Sequence, residues 1–581
     1  MKKYLIIAFL LVPSLAFGAN FYCDCSVSGG TGGAGTYADP FESVADIEAY
    51  EVATGFADGD DIYFLEGSTC TMTSDLDINW EGVDGDNYSI FGCYDGDGDF
   101  DCDGTRPILQ LSGGYGVFSA AIDVSYMRWE YLSLRDTSGS WQNSGSIGIS
   151  LNSGGDGNGL EGYLVVTDCS FYHFGHYCIE FYKVGDWIVI TDNVADTQNG
   201  NGFYVIDEAA DGPSYGYAAG NTCDELIGYN STDGHCVALQ GTSYWIVEDN
   251  ISVDAYNGAY VLGTYGPSGA KYNVFRDNKS DGNRQHCIGF IDGDSNSYGN
   301  LVYGNICKEP ADETSDRPCI RFDNYNGSNG NYGFNNTCYD CGYGGLGIRS
   351  TSGNTVDYIT YLNNIIVVDG VVTGENEFVW VEEAGTNGSN FTIDYNLWWT
   401  VPNTDPSGYT LWDTPDDDTA MTWANWRIDA WGGADNDLAD NPDFIDTTDF
   451  ELTSGSPAID AGGWLTHVTS TSGSGTTVNV DNTYILHSDF GLLDEDDNAV
   501  EGMLVSFYDT TNGRQDREIT DITYGTSIVV DSSVTWIYDS ENPNDPDYTT
   551  QIALRFYGTQ PDIGAVEYEE TLLPQKGIRI E

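Results

Sequence analysis

The chain reads as an all-β protein: a parallel β-helix solenoid of roughly 28-residue coils, with a small all-β module inserted near its C-terminal end. Two periodicities and one absence predict it. An asparagine returns at Asn193, Asn221, Asn250, Asn278, Asn305, Asn336 and Asn364, at gaps of 27 to 31 residues. Between the asparagines runs a second frame, Cys-(Ile/Val)-x-(Phe/Leu), beginning at Cys178, Cys236, Cys287 and Cys319. Each unit therefore holds a few short strands separated by turns rich in Asn, Asp and Gly. No long stretch carries a 3.6-residue apolar period, which excludes helical repeats, and a propeller blade of about 40 residues is too long for the unit.

In a parallel solenoid each coil lies one strand spacing, about 4.8 Å, above the last, so equivalent positions form columns of like side chains. A column of asparagines can hydrogen-bond to itself and to turn backbone, and Asn tolerates the left-handed conformation of a sharp corner. The asparagines are thus read as structural.

Taken in order, residues 1–18 have the form of a secretory leader. Lys2 and Lys3 precede an apolar stretch from Tyr4 to Leu15, and small residues follow, with cleavage near Gly18. The stretch is too short for a membrane span and no later one qualifies. Residues 19–105 are expected to form an N-terminal cap with the first strands, and residues 106–462 the solenoid. Residues 463–560, with short alternating strands such as Thr476–Val480 and Ser527–Val530, form the inserted module, which either binds something or covers an open sheet edge. Residues 561–581 supply a closing strand and tail. Six tryptophans, Trp398, Trp399, Trp412, Trp423, Trp426 and Trp431, are expected to cap the end of the apolar core, with sugar stacking on exposed rings as the functional alternative.

The formal net charge is -71, which repels nucleic acid and anionic lipid and suits an exterior where cations screen the carboxylates. Fourteen cysteines in an exported chain are expected to be at least partly oxidised. Column neighbours in adjacent coils lie within disulfide reach, which predicts the pairs Cys307–Cys338 and Cys287–Cys319. Cys23, Cys25, Cys70, Cys93 and Cys102 are left without a fixed connectivity.

Aspartates alternate through one loop, at Asp95, Asp97, Asp99, Asp101 and Asp103, and the frame Asp99-x-Asp101-x-Asp103-Gly104 repeats the first half of an EF-hand-type calcium loop. Carboxylates that close repel one another unless a hard cation holds them, so the loop is expected to bind Ca2+ in a structural role. It lacks a Glu at the twelfth position, where Gln110 stands, and looks more like the calcium loops of thrombospondin-type or dockerin repeats.

Beyond the repeats, Gly35–Ser43 looks like an entry segment before a capping helix, and Asn441–Phe444, Asp449–Leu452, Ser456–Gly462 and Pro561–Tyr568 are similar to a closing motif. On these segments the chain resembles the secreted right-handed parallel β-helix proteins of the broad pectate-lyase-like superfamily. The resemblance implies fold strongly and reaction weakly. Lyases on this fold abstract a proton α to a uronate carboxylate, with a Lys or Arg base and Ca2+ or another cation stabilising the enediolate, whereas the hydrolases use Asp carboxylates. The hydrolases' Asn-Thr-Asp, Asp-Asp, Gly-His-Gly and Arg-Ile-Lys set is missing, and so is a convincing arginine motif of the pectate lyases.

What remains is a concentration of scarce cations. Lys271, Arg276, Lys279, Arg284, Lys308, Arg317, Arg321 and Arg349 fall within 79 residues of a chain with only 20 Lys and Arg in all. If the chain is a lyase, Arg284, His286, Arg317 and Arg321 are the expected site residues, with Lys279 as a base. The expectation is an exported protein that binds, and in one reading cleaves, a polysaccharide or cell-surface glycan. The alternative is a structural or adhesive rod stabilised by calcium and disulfides.

Overall fold

The computed structural model describes residues 18–566, apart from 28–31, 86, 97, 99, 101, 103, 114, 121–123, 139–144, 153–161, 183–185, 208–213, 229–233, 264–268, 292–296, 309–317, 324–329, 342–343, 350–357, 370–376, 383–390, 402–409 and 414–435. Three parallel sheets of 13, 12 and 12 strands run along the solenoid. Each full coil gives one strand to each sheet in a fixed order. In one coil Ile188–Thr191 enters the first sheet, Val194–Asp196 the second and Asn201–Ile206 the third. The next coil pairs with it in register, Val194 with Thr222 and Phe203 with Val237.

The corner between the first and second sheets explains the asparagines. The residue before each one is left-handed, at Asp192 (φ 54°), Gly220 (66°), Asp249 (53°), Asp277 (56°) and Gly304 (68°). The left-handed position is thus one residue earlier than expected, and the asparagine itself turns into the core. Asn250 Oδ1 accepts from Asn221 N (3.0 Å) and Asn221 Nδ2 (2.8 Å), while its own Nδ2 donates to Ala218 O (2.9 Å) and Asn278 Oδ1 (2.9 Å). The ladder runs from Asn193 to Asn396 and stops at Asp437, whose Oδ1 accepts from Asn396 N at 2.7 Å. A second ladder, Asn273–Asn300–Asn331, closes the corner that leads into the first sheet.

A column of rings runs outside that same corner. Tyr126, Tyr163, Trp187, Tyr215, Tyr244 and Tyr272 stack with centroids 4.6 to 6.1 Å apart. Trp187 stands six residues before its asparagine and belongs to this stack. Trp245 stands five before Asn250, and that single step turns it inward, fully buried against Gly216, where any Cβ would strike the indole.

The lower end is capped by the helix Val44–Ala53, whose Ser43 hydroxyl accepts from Asp46 N (3.3 Å) and whose Val44 and Ile47 are buried. At the upper end Trp398 is fully buried and packs on Phe378 (5.6 Å). Trp399 packs with Leu452, Ala458 and Ile563 over the outer side of the second sheet. The strand Thr410–Asp413 carries Trp412, while Trp423, Trp426 and Trp431 lie outside the described residues.

The inserted module is a six-stranded antiparallel sheet from Thr466–His467 to Gln551–Leu554. The two halves of the closing motif meet beneath it, with Gly462 N donating to Pro561 O (2.7 Å) and Ile563 N to Ala458 O (3.0 Å). The module covers a sheet face rather than a sheet edge. Ile246, Val274, Leu301 and Phe334 on the outer side of the first sheet share one apolar core with Val468, Leu486, Leu492 and Ile528. The ring column continues into it, Tyr272 stacking on Tyr524 (4.2 Å) and Tyr524 on Tyr484 (5.4 Å). No described helix is long and apolar enough to cross a membrane.

The disulfides are Cys25–Cys70, Cys93–Cys102, Cys223–Cys236 and Cys287–Cys307. This corrects both expected pairs, Cys307–Cys338 and Cys287–Cys319. Column neighbours do sit in register, Cys307 beside Cys338, but their side chains run parallel into the core. Cysteines on different sheets face one another across it, and Cys287 meets Cys307 with Cα atoms 5.7 Å apart.

Candidate functional site

The outer face of the third sheet gathers the chemistry. Strand alternation sends Phe203, Val205, Ile288 and Phe290 into the core and leaves the residues between them pointing out. The variable third position of the cysteine frame is one of those outward positions, so Glu180, Ala238, Gly289 and Arg321 lie on one face, with Tyr204 and Val261 at the levels between them.

In the lower coils this face is aromatic and acidic. Ser150 Oγ donates to Glu180 Oε2 (3.2 Å), His176 stacks on Tyr177 (3.6 Å) and Tyr177 packs on Tyr204 (4.7 Å). Burial pushes the His176 imidazole down to about 4 and the Glu180 carboxyl above its ordinary range.

In the upper coils it becomes cationic. Asn201 Oδ1 accepts from Gly234 N (2.9 Å) and His235 N (3.0 Å), which fixes the start of the strand carrying Val237. His235 Nδ1 donates to Gly258 O (2.9 Å), leaving Nε2 to accept from Asn257 Nδ2 (3.3 Å), so the neutral tautomer is set by its partners. The His286 ring lies 6.0 Å from the His235 ring, across Gly258 and Gly289. A Cβ on either glycine would collide with the imidazole, so these glycines make the seat in which it rests. One coil above Gly289, Arg321 forms a two-pronged pair with Asp323, its Nε donating to Oδ1 at 2.5 Å and its Nη2 to Oδ2. Arg349 approaches the same carboxylate at 3.8 Å. Two guanidiniums thus share the Asp323 carboxylate, and Glu382 stands in register one coil above Arg349. Arg284 is exposed on the flank, its guanidinium 4.9 Å over the Tyr256 ring.

Of the expected residues, His286 and Arg321 therefore share this face and Arg284 borders it. Lys279 does not belong to it. It follows Asn278 directly, on the second sheet, and pairs with Asp449 (3.6 Å). Arg317 lies outside the described residues. In the aspartate-rich loop Asp95 is partly buried and the Cys93–Cys102 disulfide closes the excursion, while Asp97, Asp99, Asp101 and Asp103 lie outside the described residues. Glu180, Tyr204, Asp323 and the partners of His235 were missed. Glu180 was legible once the cysteine frames were aligned, because the frame itself marks its outward position.

A separate cleft of about 560 Å³ opens at the seam between solenoid and module. In it Arg276 is buried against Glu248 and also donates to Glu501 O (2.8 Å), while Tyr303 Oη donates to His487 Nε2 (2.6 Å). Desolvation under the module pushes Asp277 up to about 7 and Asp249 up to about 6, although both side chains keep an opening to solvent. Asp249, Asp277, Asp494 and Glu501 make this cleft acidic, and it repels an anionic ligand.

No protein-family model matches this sequence, and neither does any curated protein. Among solved structures, a polysaccharide family 6 lyase specific for mannuronic acid, from human gut microbiota, is similar at 15% identity and TM-score 0.40, over 68% of this chain and 95% of its own. A GH136 lacto-N-biosidase from Eubacterium ramulus is similar at 12% identity and TM-score 0.39, over 64% of this chain and 67% of its own. Pectate lyase Pel9A is similar at 12% identity and TM-score 0.35, over 79% and 95%. The chain's own three sheets, all parallel and fed in fixed order by successive coils, make it a parallel β-helix with an inserted antiparallel module.

Proposed function

We propose that this chain is an exported β-helix protein that binds an anionic polysaccharide along the outer face of its third sheet, with the imidazole and guanidinium groups at His286, Arg321, Arg349 and Arg284 as the charged end of the site. One observation carries the reading: in a chain of net charge -71, these groups converge on one face, with the His286 ring seated over Gly258 and Gly289. From the strand Ile147–Asn152 to the strand Gly344–Arg349 that face spans roughly 34 Å at about 4.8 Å per coil, enough for several sugar units, with tyrosines at one end and cations at the other. If cleavage occurs, His286 is the candidate base for proton abstraction beside a uronate carboxylate held by Arg349 and Arg284. Calcium belongs to the same proposal as a structural ion in the loop containing Asp95.

A second reading, a non-catalytic structural rod, is favoured by the burial of His286 (0% exposed) and Arg321 (1%). The deciding experiment is affinity electrophoresis and an ultraviolet assay for unsaturated products on alginate, pectate and neutral glycans, with and without calcium. Retardation by polyuronates that weakens with salt supports binding, and unsaturated products add elimination. Silence on every glycan from a protein shown to be folded supports the rod.

A further inference from the structure

Cys319, Cys338 and Cys341 are unbonded and fully buried in the core at the level of the cationic cluster. Their positions repeat those of an existing disulfide. Ile288 pairs with Ile320, and Cys287 N donates to Cys319 O (2.9 Å), so Cys319 stands one coil above Cys287. Cys338 pairs in register with Cys307 and stands one coil above it. The pair Cys319 and Cys338 is therefore the one-coil translate of Cys287–Cys307. Parallel stacking carries the separation of the two sheets from one coil to the next, and the Cα distance of the bonded pair, 5.7 Å, lies inside the range of about 4.4 to 6.8 Å that a disulfide needs. The Sγ atoms of Cys307, Cys319 and Cys338 all lie within 4.8 Å of one another. A metal held by these three would require Cys307 as a free thiolate, and Cys307 is already bonded to Cys287.

We infer that Cys319 and Cys338 form a second cross-core disulfide stacked directly on Cys287–Cys307, with Cys341 left as a buried thiol. The step is a thiol–disulfide exchange with an external disulfide oxidant. The two thiols lose two protons and two electrons, the Sγ–Sγ bond forms, and the oxidant's own S–S bond is reduced to two thiols. It occurs while the coils are still adding, before the core closes over the sulfurs. The consequence is positional: Cys287 adjoins His286 and Cys319 lies two residues before Arg321, so the two bonds tie both site-bearing strands to the second sheet at successive levels.

The test is a non-reducing tryptic map of the full chain produced through an oxidising compartment and alkylated on denaturation. Cleavage after Arg284, Lys308, Arg321 and Arg349 places Cys287 and Cys307 together in peptide 285–308, Cys319 alone in 309–321, and Cys338 with Cys341 in 322–349. The expected result is an internally bonded 285–308 and a crosslink of 309–321 to 322–349. Chymotryptic cleavage after Tyr339 then leaves Cys338 in the crosslink and Cys341 alkylated. Alkylated Cys319 and Cys338 would overturn the inference, and so would 285–308 crosslinked to both other peptides, a Cys319–Cys341 bond, or stoichiometric zinc with all three thiols free. In a Cys319→Ser variant the freed Cys338 is expected to become alkylated in full. Should that variant fail to fold, the map of the natural chain decides alone.

Discussion

The outer faces of the first and third sheets are made by the same coils, on the same backbone spacing, and they are chemical opposites. On the first sheet the outward positions are Ile246, Val274, Leu301 and Phe334, and the chain's own module closes over them. On the third, the outward column passes through Glu180, Tyr204, Ala238, Val261, Gly289 and Arg321. A strand buried on both faces loses its alternation and reads as a continuous apolar run, as Trp245-Ile246-Val247 does. The strands of the third sheet keep charged or small residues at outward positions such as Glu180, Ala238, Gly289, Arg321 and Asp323, among which Val261 is the apolar exception. One rule of alternation thus separates the face that the module covers from the face proposed to bind a ligand.

The largest effect is expected on the packed side. Replacing Arg276 by Ala leaves Glu248 charged and unpaired beneath the module and should cost about 3 to 5 kcal/mol, read as a lower denaturation midpoint and early proteolysis within residues 463–560. An unchanged midpoint would show that the module is held by its apolar contacts alone.

Acid probes the same seam. Burial, reinforced by Arg276, pushes the His487 imidazole down to about 3 from its ordinary 6.5. Its Nδ1 donates to Ser488 O (2.8 Å) and its Nε2 accepts from Tyr303, so a second proton would break the latter bond. A depressed histidine contributes stability above pH 6.5 that is lost as the pH falls toward 3, because the unfolded chain then binds the extra proton. By pH 5 the loss is about 2 kcal/mol. Asp277, pushed upward, acts in the opposite sense, losing its contribution as the pH rises through about 7. In denaturant titrations from pH 7 to 5 the natural protein should lose about 2 kcal/mol relative to His487→Gln, the contributions of Asp277 and Asp249 being common to both; parallel profiles would remove His487 from the account.

On the third sheet, Arg349→Ala should leave the melting temperature nearly unchanged and weaken polyuronate binding about tenfold, with a shallower salt dependence. Equal binding by the variant would move the site elsewhere. The smallest effect belongs to Lys279→Ala. Its pair with Asp449 is half-exposed and worth less than about 1 kcal/mol, and glycan affinity should not change, since Lys279 sits on another sheet.

Much of the fold was legible because a solenoid writes the same instruction in every coil. The asparagine interval gave the coil length, and the cysteine frame marked the third sheet. What escaped was phase. Trp187 and Trp245 look equivalent by eye, yet their distances from the next asparagine differ by one residue, and one residue in a strand is a change of face. The disulfides escaped for a related reason: a column shows which residues stack, whereas bonding depends on which side chains face one another across the core. The site was half legible. Arg321 and His286 stood out as scarce charges, but Asp323, which takes up much of the Arg321 charge, has no signal in a chain so rich in aspartate.

Asp437 gives the asparagine ladder an end. Every asparagine in it both accepts from the coil below and donates to the coil above, so the arrangement has a direction and no internal reason to stop. A carboxylate in the same slot accepts from Asn396 and has no proton to hand on. One oxygen in place of an amide nitrogen thus works as punctuation: the side-chain series that each asparagine below passes on is received at Asp437, whose carboxylate does not pass it further.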